Sequence, residues 1–241
     1  MKRTNNFVAA GLLCAAGFLS LAFPPALLSQ QHASPMPAVQ REQSLGISAG
    51  MGVNVVRAAG VVDYINSTAL FSQRVDDWGT AVNFFGGIEI PIGSEWNIKF
   101  EHSYLFKSYS FIGTNGGTYD LFYSSHSPSI LLQRVVSGKG YFVKFGAGGG
   151  PHFGSVKQDV SLYGTSSTYR SSGFGLLCEL SGQTAFDDHL YGYIGGVIAG
   201  EFLGTIGTGK STVSSDPSEV PGTVRLNSFS AGLQFGISYY F

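Results

Sequence analysis

The segment that most constrains the fold is the last one, Leu226 to Phe241, in which two kinds of residue alternate. Every second position is apolar or aromatic: Phe229, Ala231, Leu233, Phe235, Ile237, Tyr239 and Phe241. The positions between them are mostly small or polar: Ser228, Ser230, Gly232, Gln234, Gly236, Ser238 and Tyr240. Successive side chains of a β-strand point to opposite faces, so this period of two predicts a strand with one apolar face and one polar face.

This strand resembles the closing strand of Gram-negative outer-membrane β-barrels, which end in Phe after alternating hydrophobic or aromatic residues. The resemblance implies that the barrel-assembly machinery binds this end of the chain through Phe235, Ile237, Tyr239 and Phe241. The alternation itself indicates only a two-faced strand, which a soluble sheet protein could also contain.

The composition is typical of a membrane barrel. Among 241 residues there are 34 glycines, aromatic residues reach 14%, and charged residues are only 12%, about half the ordinary share. The net charge of -1 gives no basic surface for nucleic acid. Beyond the N-terminal segment no run of 18 apolar residues occurs, which argues against a membrane-spanning helix. The sequence therefore favours a membrane β-barrel, whose strands each carry a weak signal.

Residues 1–30 have the pattern of a secretory signal peptide, because a basic start precedes an apolar stretch from Phe7 to Ala22. The cleavage site is left open between residues 22 and 33. Cleavage would remove Cys14 and leave Cys178 as a single cysteine, so we expect no internal disulfide.

Eight segments show the period of two and predict eight strands. Their approximate ranges are 44–57, 80–90, 96–107, 121–136, 141–150, 170–186, 190–202 and 226–241. The connections alternate between long and short, which is typical of outer-membrane barrels with short periplasmic turns and long outer loops. The long connections are predicted at 58–79, 108–119, 151–169 and 203–223. In the fourth strand Pro128 predicts a kink or bulge, because proline has no N–H for the ladder.

The predicted fold class is all-β, an eight-stranded antiparallel up-and-down transmembrane β-barrel over residues 44–241. This region resembles the small outer-membrane barrel domains of the OmpA/OmpX type. An even number of strands places both ends of the barrel on the periplasmic side, and eight strands give a barrel whose interior is filled by side chains.

Charged residues of both signs occur on the polar face of the predicted strands. The acids are Glu89, Glu101 and Glu179, and the lysines are Lys99 and Lys144. Because an unpaired buried charge is unfavourable, we expect these groups to pair across a narrow lumen. The solvated face of a soluble sheet is the alternative. The facing of the seventh strand is left ambiguous by its glycines.

The segment Gly204 to Ser211, GTIGTGKS, matches a phosphate-binding loop by sequence. Such a loop needs a helix after it, and the next residues are weak helix formers interrupted by Pro217 and Pro221. We therefore interpret the segment as a flexible loop that binds no nucleotide.

The histidines give a weaker indication of chemistry, and no pair has metal-ligand spacing. Some small outer-membrane barrels are lipid A-modifying enzymes with a His and a Ser near the outer rim. Here His126 lies among Ser124, Ser125, Ser127 and Ser129. These residues could form a nucleophilic site only if a serine, the histidine and an acid meet in space. We assign no catalytic, metal-binding or cofactor-binding residue.

The sequence thus predicts a non-enzymatic outer-membrane protein that serves envelope structure or surface contact through long outer loops. Its expected partners are outer-membrane lipid, lipopolysaccharide and the assembly machinery, and no cofactor is expected. Two alternatives share the fold, a lipid A-modifying enzyme and a small-solute channel. A secreted, soluble β-barrel binder is a third.

Overall fold

The computed structural model describes residues 44–67, 74, 76, 78–112, 117–160, 165–205 and 225–241. The predicted signal peptide and the segment Gly204–Ser211 beyond its second residue lie outside these ranges. Within them, no helix is long and apolar enough to cross a membrane.

Eight antiparallel strands follow one another around a closed barrel, and the last strand pairs with the first. The strands are β1 Gly46–Arg57, β2 Trp78–Pro91, β3 Trp96–Ile112, β4 Thr118–Gly138, β5 Tyr141–Val160, β6 Thr165–Ala185, β7 Leu190–Leu203 and β8 Ser228–Tyr240. One helix, α1 Ala59–Ser67, follows β1. The predicted eight-stranded up-and-down architecture is confirmed.

The register shows that the strands are strongly tilted. A path that steps from each residue to its partner on the next strand starts at Gly46 and returns to β1 at Val56, which is ten residues along (46 to 56). In order, the partners are Gly46, Glu89, Lys99, Leu131, Gly148, Leu177, Ala199, Ser230 and Val56. Such a stagger is what closes a sheet into a narrow barrel. Residues that meet across the lumen therefore come from different rows of the sheet.

The two ends of the barrel differ. The turn end carries the short connections 92–95, 139–140 and 186–189, together with the first residue of β1 and the last of β8. The rim end carries the other connections. Two of these are much shorter than predicted, because β3 to β6 extend through most of 108–119 and 151–169 and leave only 113–117 and 161–164 between them.

These rim extensions reverse the polarity of the two faces, which explains the wrong prediction. Below them, most outward side chains are apolar, and the buried polar and charged side chains point inward. Within the extensions the inward residues Tyr109, Phe111 and Leu121 are half-buried or buried in an apolar cluster, whereas Ser110 and Asp120 point outward. Apolar and polar residues still alternate, but the apolar ones now occupy the inward positions. A strand prediction that requires apolar residues at the outward positions therefore ends before the strand does.

Helix α1 lies in the region that the sequence predicted as a loop. Its Val61 and Val62 are 3% and 1% exposed, and the N–H groups of both donate to the Ala58 carbonyl. Together with residues of six strands, Val61 forms a cluster that we call the apolar cap. Its members are Val56, Ala58, Val61, Ala81, Leu105, Phe111, Leu121, Tyr123, Val156, Leu203 and Leu226, with Val62 beside them. The cap occupies the lumen at the rim end.

Pro128 interrupts the β4–β5 ladder over residues 127–129, but pairing resumes in the same register. Neither strand carries an extra residue, so the predicted disturbance is a gap in the ladder and not a bulge. The unchanged register places Pro128 opposite Pro151. Both lack the N–H that the ladder would use there.

Candidate functional site

The outer face of the barrel is a belt of exposed apolar side chains. Met51, Ile130 and Ile194, on three different strands, are 50%, 55% and 55% exposed. Aromatic side chains concentrate near the two edges of the belt. Those at the turn end are Trp96, Tyr141, Phe186, Tyr239 and Phe241, and those toward the rim end include Phe153, Phe174, Phe202 and Phe229. An apolar band between aromatic girdles is typical of a transmembrane barrel.

The sequence left open which residues of β7 face outward. In the structure, apolar side chains of β7 are on the outer face, as on the other strands. Ile194 and Phe202 point outward and are exposed, whereas Tyr193 and Glu201 point inward and are buried. The belt is thus continuous around the barrel. Cys178 lies on the outward face of β6 and forms no disulfide within the described residues.

Toward the turn end, the lumen contains buried ion pairs that we call the ion-pair layer. Lys99 Nζ lies 2.5 Å from Glu101 and 2.8 Å from Glu179, and Lys144 contacts Glu89. All five side chains are at most 3% exposed. The predicted inward facing of these five residues and their predicted pairing across the lumen are confirmed. The pairs Lys99–Glu179 and Lys144–Glu89 join strands that are not neighbours, whereas neighbouring strands were expected.

Neutral groups complete the ion-pair layer. Tyr193 donates its hydroxyl to Glu179 at 3.0 Å, and Gln133 donates to the same carboxylate at 3.4 Å. The Lys99 ammonium also lies 5.7 Å from the ring centroid of Phe85, a cation–π distance. A buried charge needs several such partners to offset its lost hydration. Side chains therefore fill the lumen at this level.

Between the ion-pair layer and the apolar cap lies another buried acid, Glu201, which hydroxyl groups and an imidazole surround. We call this arrangement the Glu201 cluster. One carboxylate oxygen, Oε1, accepts from Ser125 at 2.8 Å and Ser127 at 3.0 Å and lies 3.1 Å from Nδ1 of His152. The other, Oε2, accepts from Tyr123 at 3.1 Å and from Ser228 at 2.8 Å. Hydroxyl donors from β4 and β8 and an imidazole from β5 thus take the place that lysines hold below.

The Glu201 cluster also places a serine, a histidine and an acid in series. Ser129 Oγ lies 3.4 Å from Nε2 of His152, whose Nδ1 faces Glu201. In hydrolases the acid orients the imidazole, which takes the proton of the serine hydroxyl. The 3.4 Å separation is longer than an ordinary hydrogen bond. Ser129 and His152 are 5% and 1% exposed, so the series lies inside the filled barrel.

His126 lies among four serines in the sequence, but three of them are on the opposite face of β4. Ser125, Ser127 and Ser129 point into the lumen, whereas His126 points outward and is exposed. Nδ1 of His126 lies 3.3 Å from Nε2 of His102, on the same outer face. The barrel wall therefore separates His126 from the acid and the inward serines.

Sequence reasoning missed His152 and Glu201 as lumen residues. His152 fell in a predicted loop, although it continues the inward positions of β5 that include Lys144. Glu201 shares its facing with Tyr191 and Tyr193, which is the signal that could have oriented β7. Within the described ranges, no group of three or more His, Cys, Asp or Glu residues is arranged to hold a metal ion.

No protein-family model matches the sequence. No curated protein matches it either. Among solved structures, the chain is similar to Ail, the attachment invasion locus protein of Yersinia pestis, with 13% identity, 83% of this chain and 100% of that chain covered, and a TM-score of 0.47. The outer membrane protein OprG from Pseudomonas aeruginosa has 14% identity, 83% and 96% coverage, and a TM-score of 0.48. The outer membrane protease OmpT from Escherichia coli has 10% identity, 86% and 99% coverage, and a TM-score of 0.45.

At such identities the likeness concerns the fold alone. The closed order of strands and the register define that fold independently. The chain is an eight-stranded antiparallel up-and-down β-barrel, the fold that its resemblance to OmpA/OmpX-type domains implied.

Proposed function

We propose that the chain is an integral outer-membrane barrel with a closed interior, and that it acts without catalysis in envelope structure or surface contact. One observation carries this proposal: apolar side chains are exposed around the barrel, while five charged side chains are buried and paired inside it. That arrangement is stable where the outer face meets hydrocarbon. In water the same belt would be an exposed apolar surface far larger than soluble monomers carry.

The membrane setting is tested by placing a charge on the belt. Phe100 is 45% exposed and points outward from β3. Phe100→Lys should destabilise the folded barrel by about 2–4 kcal/mol if this face meets lipid near the midplane. Urea unfolding in lipid vesicles measures the effect. The matched control, Ser108→Lys, lies on the same face of β3 in the polar rim extension and should change little. Equal, small effects at both positions would favour the soluble binder.

A direct test of location is fractionation of cells that express the full chain. We expect the protein in the outer-membrane fraction, with a gel mobility that changes on heating. Recovery in the soluble periplasm or the medium would overturn the proposal.

The closed interior is supported by three filled levels: the ion-pair layer, the Glu201 cluster and the apolar cap. We expect the protein to give no steady conductance in single-channel recordings. A large, steady conductance would favour the small-solute channel instead. In a closed barrel, contact with other molecules would be made by the rim, where β3 to β6 extend beyond the other strands.

The partners of assembly are part of the same proposal. Phe241 is 63% exposed, its N–H donates to the Leu45 carbonyl at 3.1 Å, and its ring packs edge-on against Tyr239. The side chain is therefore held at the turn end but open to another protein. Phe241→Ala should lower the amount of folded protein in the outer membrane. If Phe241→Ala gives normal amounts of heat-modifiable barrel, the assembly machinery does not depend on this side chain.

A second candidate is hydrolysis of a lipid ester, favoured by the series Ser129–His152–Glu201. The serine hydroxyl would add to the ester carbonyl as its proton passes to His152, the alcohol would leave with that proton, and water would release the acid. The test is turnover of ester-containing lipids by the folded protein, compared with Ser129→Ala. Turnover that this variant abolishes would establish the enzyme, and absence of turnover in both supports the non-enzymatic role.

A further inference from the structure

The outer face of β1 to β5 carries a groove of about 650 Å³. Ala49, Gly86, His102 and Pro128 are successive partners on β1 to β4, and Pro151 lies opposite Pro128 on β5. Four of these five residues have no long side chain, so the groove follows this row across the strands. Exposed apolar side chains, including those of Phe100 and Ile130, form its walls.

The ladder gap lies in the floor of the groove. Because Pro128 faces Pro151, neither strand presents a long, flexible side chain to the outside at this point. The groove is therefore apolar, with a lining that is set by the backbone and by two rigid rings. A flexible hydrocarbon chain would contact such a surface closely on both walls.

The groove has a polar end toward the rim. His102 lies in the row itself, and its Nε2 is 3.3 Å from Nδ1 of His126 on the next row. Beyond His126, Ser124 Oγ lies 2.9 Å from Ser155 Oγ. Farther toward the rim, the exposed Lys157 forms an ion pair with Asp159 at 2.7 Å, and Asp120 is the partner of Asp159 on β4. Imidazole groups, then hydroxyl groups and then a lysine–aspartate ion pair thus follow one another from the groove to the rim.

We propose that this groove binds one acyl chain of a phosphate-bearing bilayer lipid, whose phosphate lies toward His102 and His126. Imidazole N–H groups are hydrogen-bond donors that suit a phosphate oxygen. The order of the two parts matches a lipid whose headgroup is at the rim. The groove is also continuous with the apolar belt, so the lipid would enter sideways from the bilayer. This inference rests on the membrane insertion proposed above.

Gly86 allows the groove to be filled without disturbing the wall. A Cβ added there would have the Ser48 carbonyl oxygen as its nearest neighbour, at 3.8 Å. Gly196 is the matched control, since it also points outward, on β7, and its added Cβ would lie 3.9 Å from the Gly232 carbonyl oxygen. Leu at either position adds the same side chain to the outer face, but only Gly86→Leu enters the groove.

The experiment is native mass spectrometry of the folded barrel with added phosphatidylglycerol or diacylglycerol. We expect the parent and Gly196→Leu to retain one phosphatidylglycerol, and Gly86→Leu to bind it at least about tenfold more weakly. Diacylglycerol, which lacks the phosphate, should bind the parent more weakly than phosphatidylglycerol. His126→Phe should reduce that difference while leaving diacylglycerol binding unchanged.

Two results would overturn the lipid site: no lipid retained by the parent, or equal retention by the two leucine variants. Equal binding of the two lipids by the parent would overturn the phosphate contact. Heat-modifiable mobility of the same samples reports folding separately. A barrel that folds and inserts but retains no lipid refutes this inference alone, whereas a protein that does not enter membranes refutes the proposed function.

Discussion

Toward the turn end of the lumen, Glu101 and Glu179 share the ammonium of Lys99, whereas nearer the rim Glu201 is held by hydroxyl groups and an imidazole. Both regions are buried, and both hold carboxylates that would be costly without partners. They differ in how the cost is offset. In the ion-pair layer a single opposite charge serves two acids, and in the Glu201 cluster several weak donors serve one acid.

The difference has a consequence for tolerance to substitution. Removal of one member of a buried ion pair leaves the other as an uncompensated charge. When one of several hydrogen-bond donors is removed, the acid keeps the remaining donors. The loss of unfolding free energy should then be close to that of a single hydrogen bond. The ion-pair layer should therefore be the more sensitive of the two regions.

The largest effect is expected for Lys99→Met, which keeps most of the side-chain volume and removes the charge. Glu101 and Glu179 would be left close together without their cation, and we expect a loss of roughly 3–5 kcal/mol in unfolding free energy. Urea unfolding in lipid vesicles provides the measurement. The double variant Lys99→Met/Glu179→Gln should be less destabilised than the single one, because one acid no longer needs a partner. A double variant that is no better would show that packing, and not charge, dominates.

A smaller effect is expected for Glu201→Gln. The shape is retained, the hydroxyl groups around it can reorient, and no counter-charge of a lysine is left behind. The expected loss is about 1.5–3 kcal/mol, the range for hydrogen bonds to a charged group. The same unfolding assay applies. If this variant is as damaging as Lys99→Met, the two regions are equally sensitive to loss of a charge.

The sequence predicts the ion-pair layer because the belt makes the two faces of each strand chemically different. Glu89, Lys99 and Lys144 stand at positions where the neighbours on either side are apolar, and their facing follows from the period of two. Eight strands could be counted for the same reason. The partners within the layer could not be assigned, since Lys99 meets Glu179 across 80 positions in sequence and only closure of the barrel brings them together.

The Glu201 cluster and the rim were not predictable in the same way. Serines are abundant in this chain, so Ser125 and Ser228 carry no signal until the fold brings them to one carboxylate. In the extensions the outer face becomes polar and the inner face apolar, as Ser110 and Phe111 show. A strand prediction based on apolar outward positions therefore ends where the outer face becomes polar. Helix α1 has only nine residues, too few for a clear period of 3.6.

The next smaller effect concerns a single donor of the Glu201 cluster. Ser228 is half-buried at the start of β8 and donates to Oε2 at 2.8 Å, beside Tyr123. Ser228→Ala should cost about 0.5–1.5 kcal/mol, because Glu201 keeps its other donors. A parallel measurement on Ser228→Ala in the Glu201→Gln background should give a smaller loss. Equal losses in both backgrounds would mean that the serine does not act through the carboxylate.

The smallest effect is expected where the same kind of ion pair lies in solvent. Arg134 and Glu95 are 3.5 Å apart near the turn end, and both side chains are 61% exposed. Glu95→Gln should change the unfolding free energy by about 0–1 kcal/mol, because water already solvates both charges and the pair must order two flexible side chains. Measured beside Lys99→Met, this variant separates burial from charge pairing. If Glu95→Gln and Lys99→Met lose similar unfolding free energy, ion pairing stabilises the barrel equally in solvent and in the lumen. Burial would then not be the reason that Lys99 needs its partners.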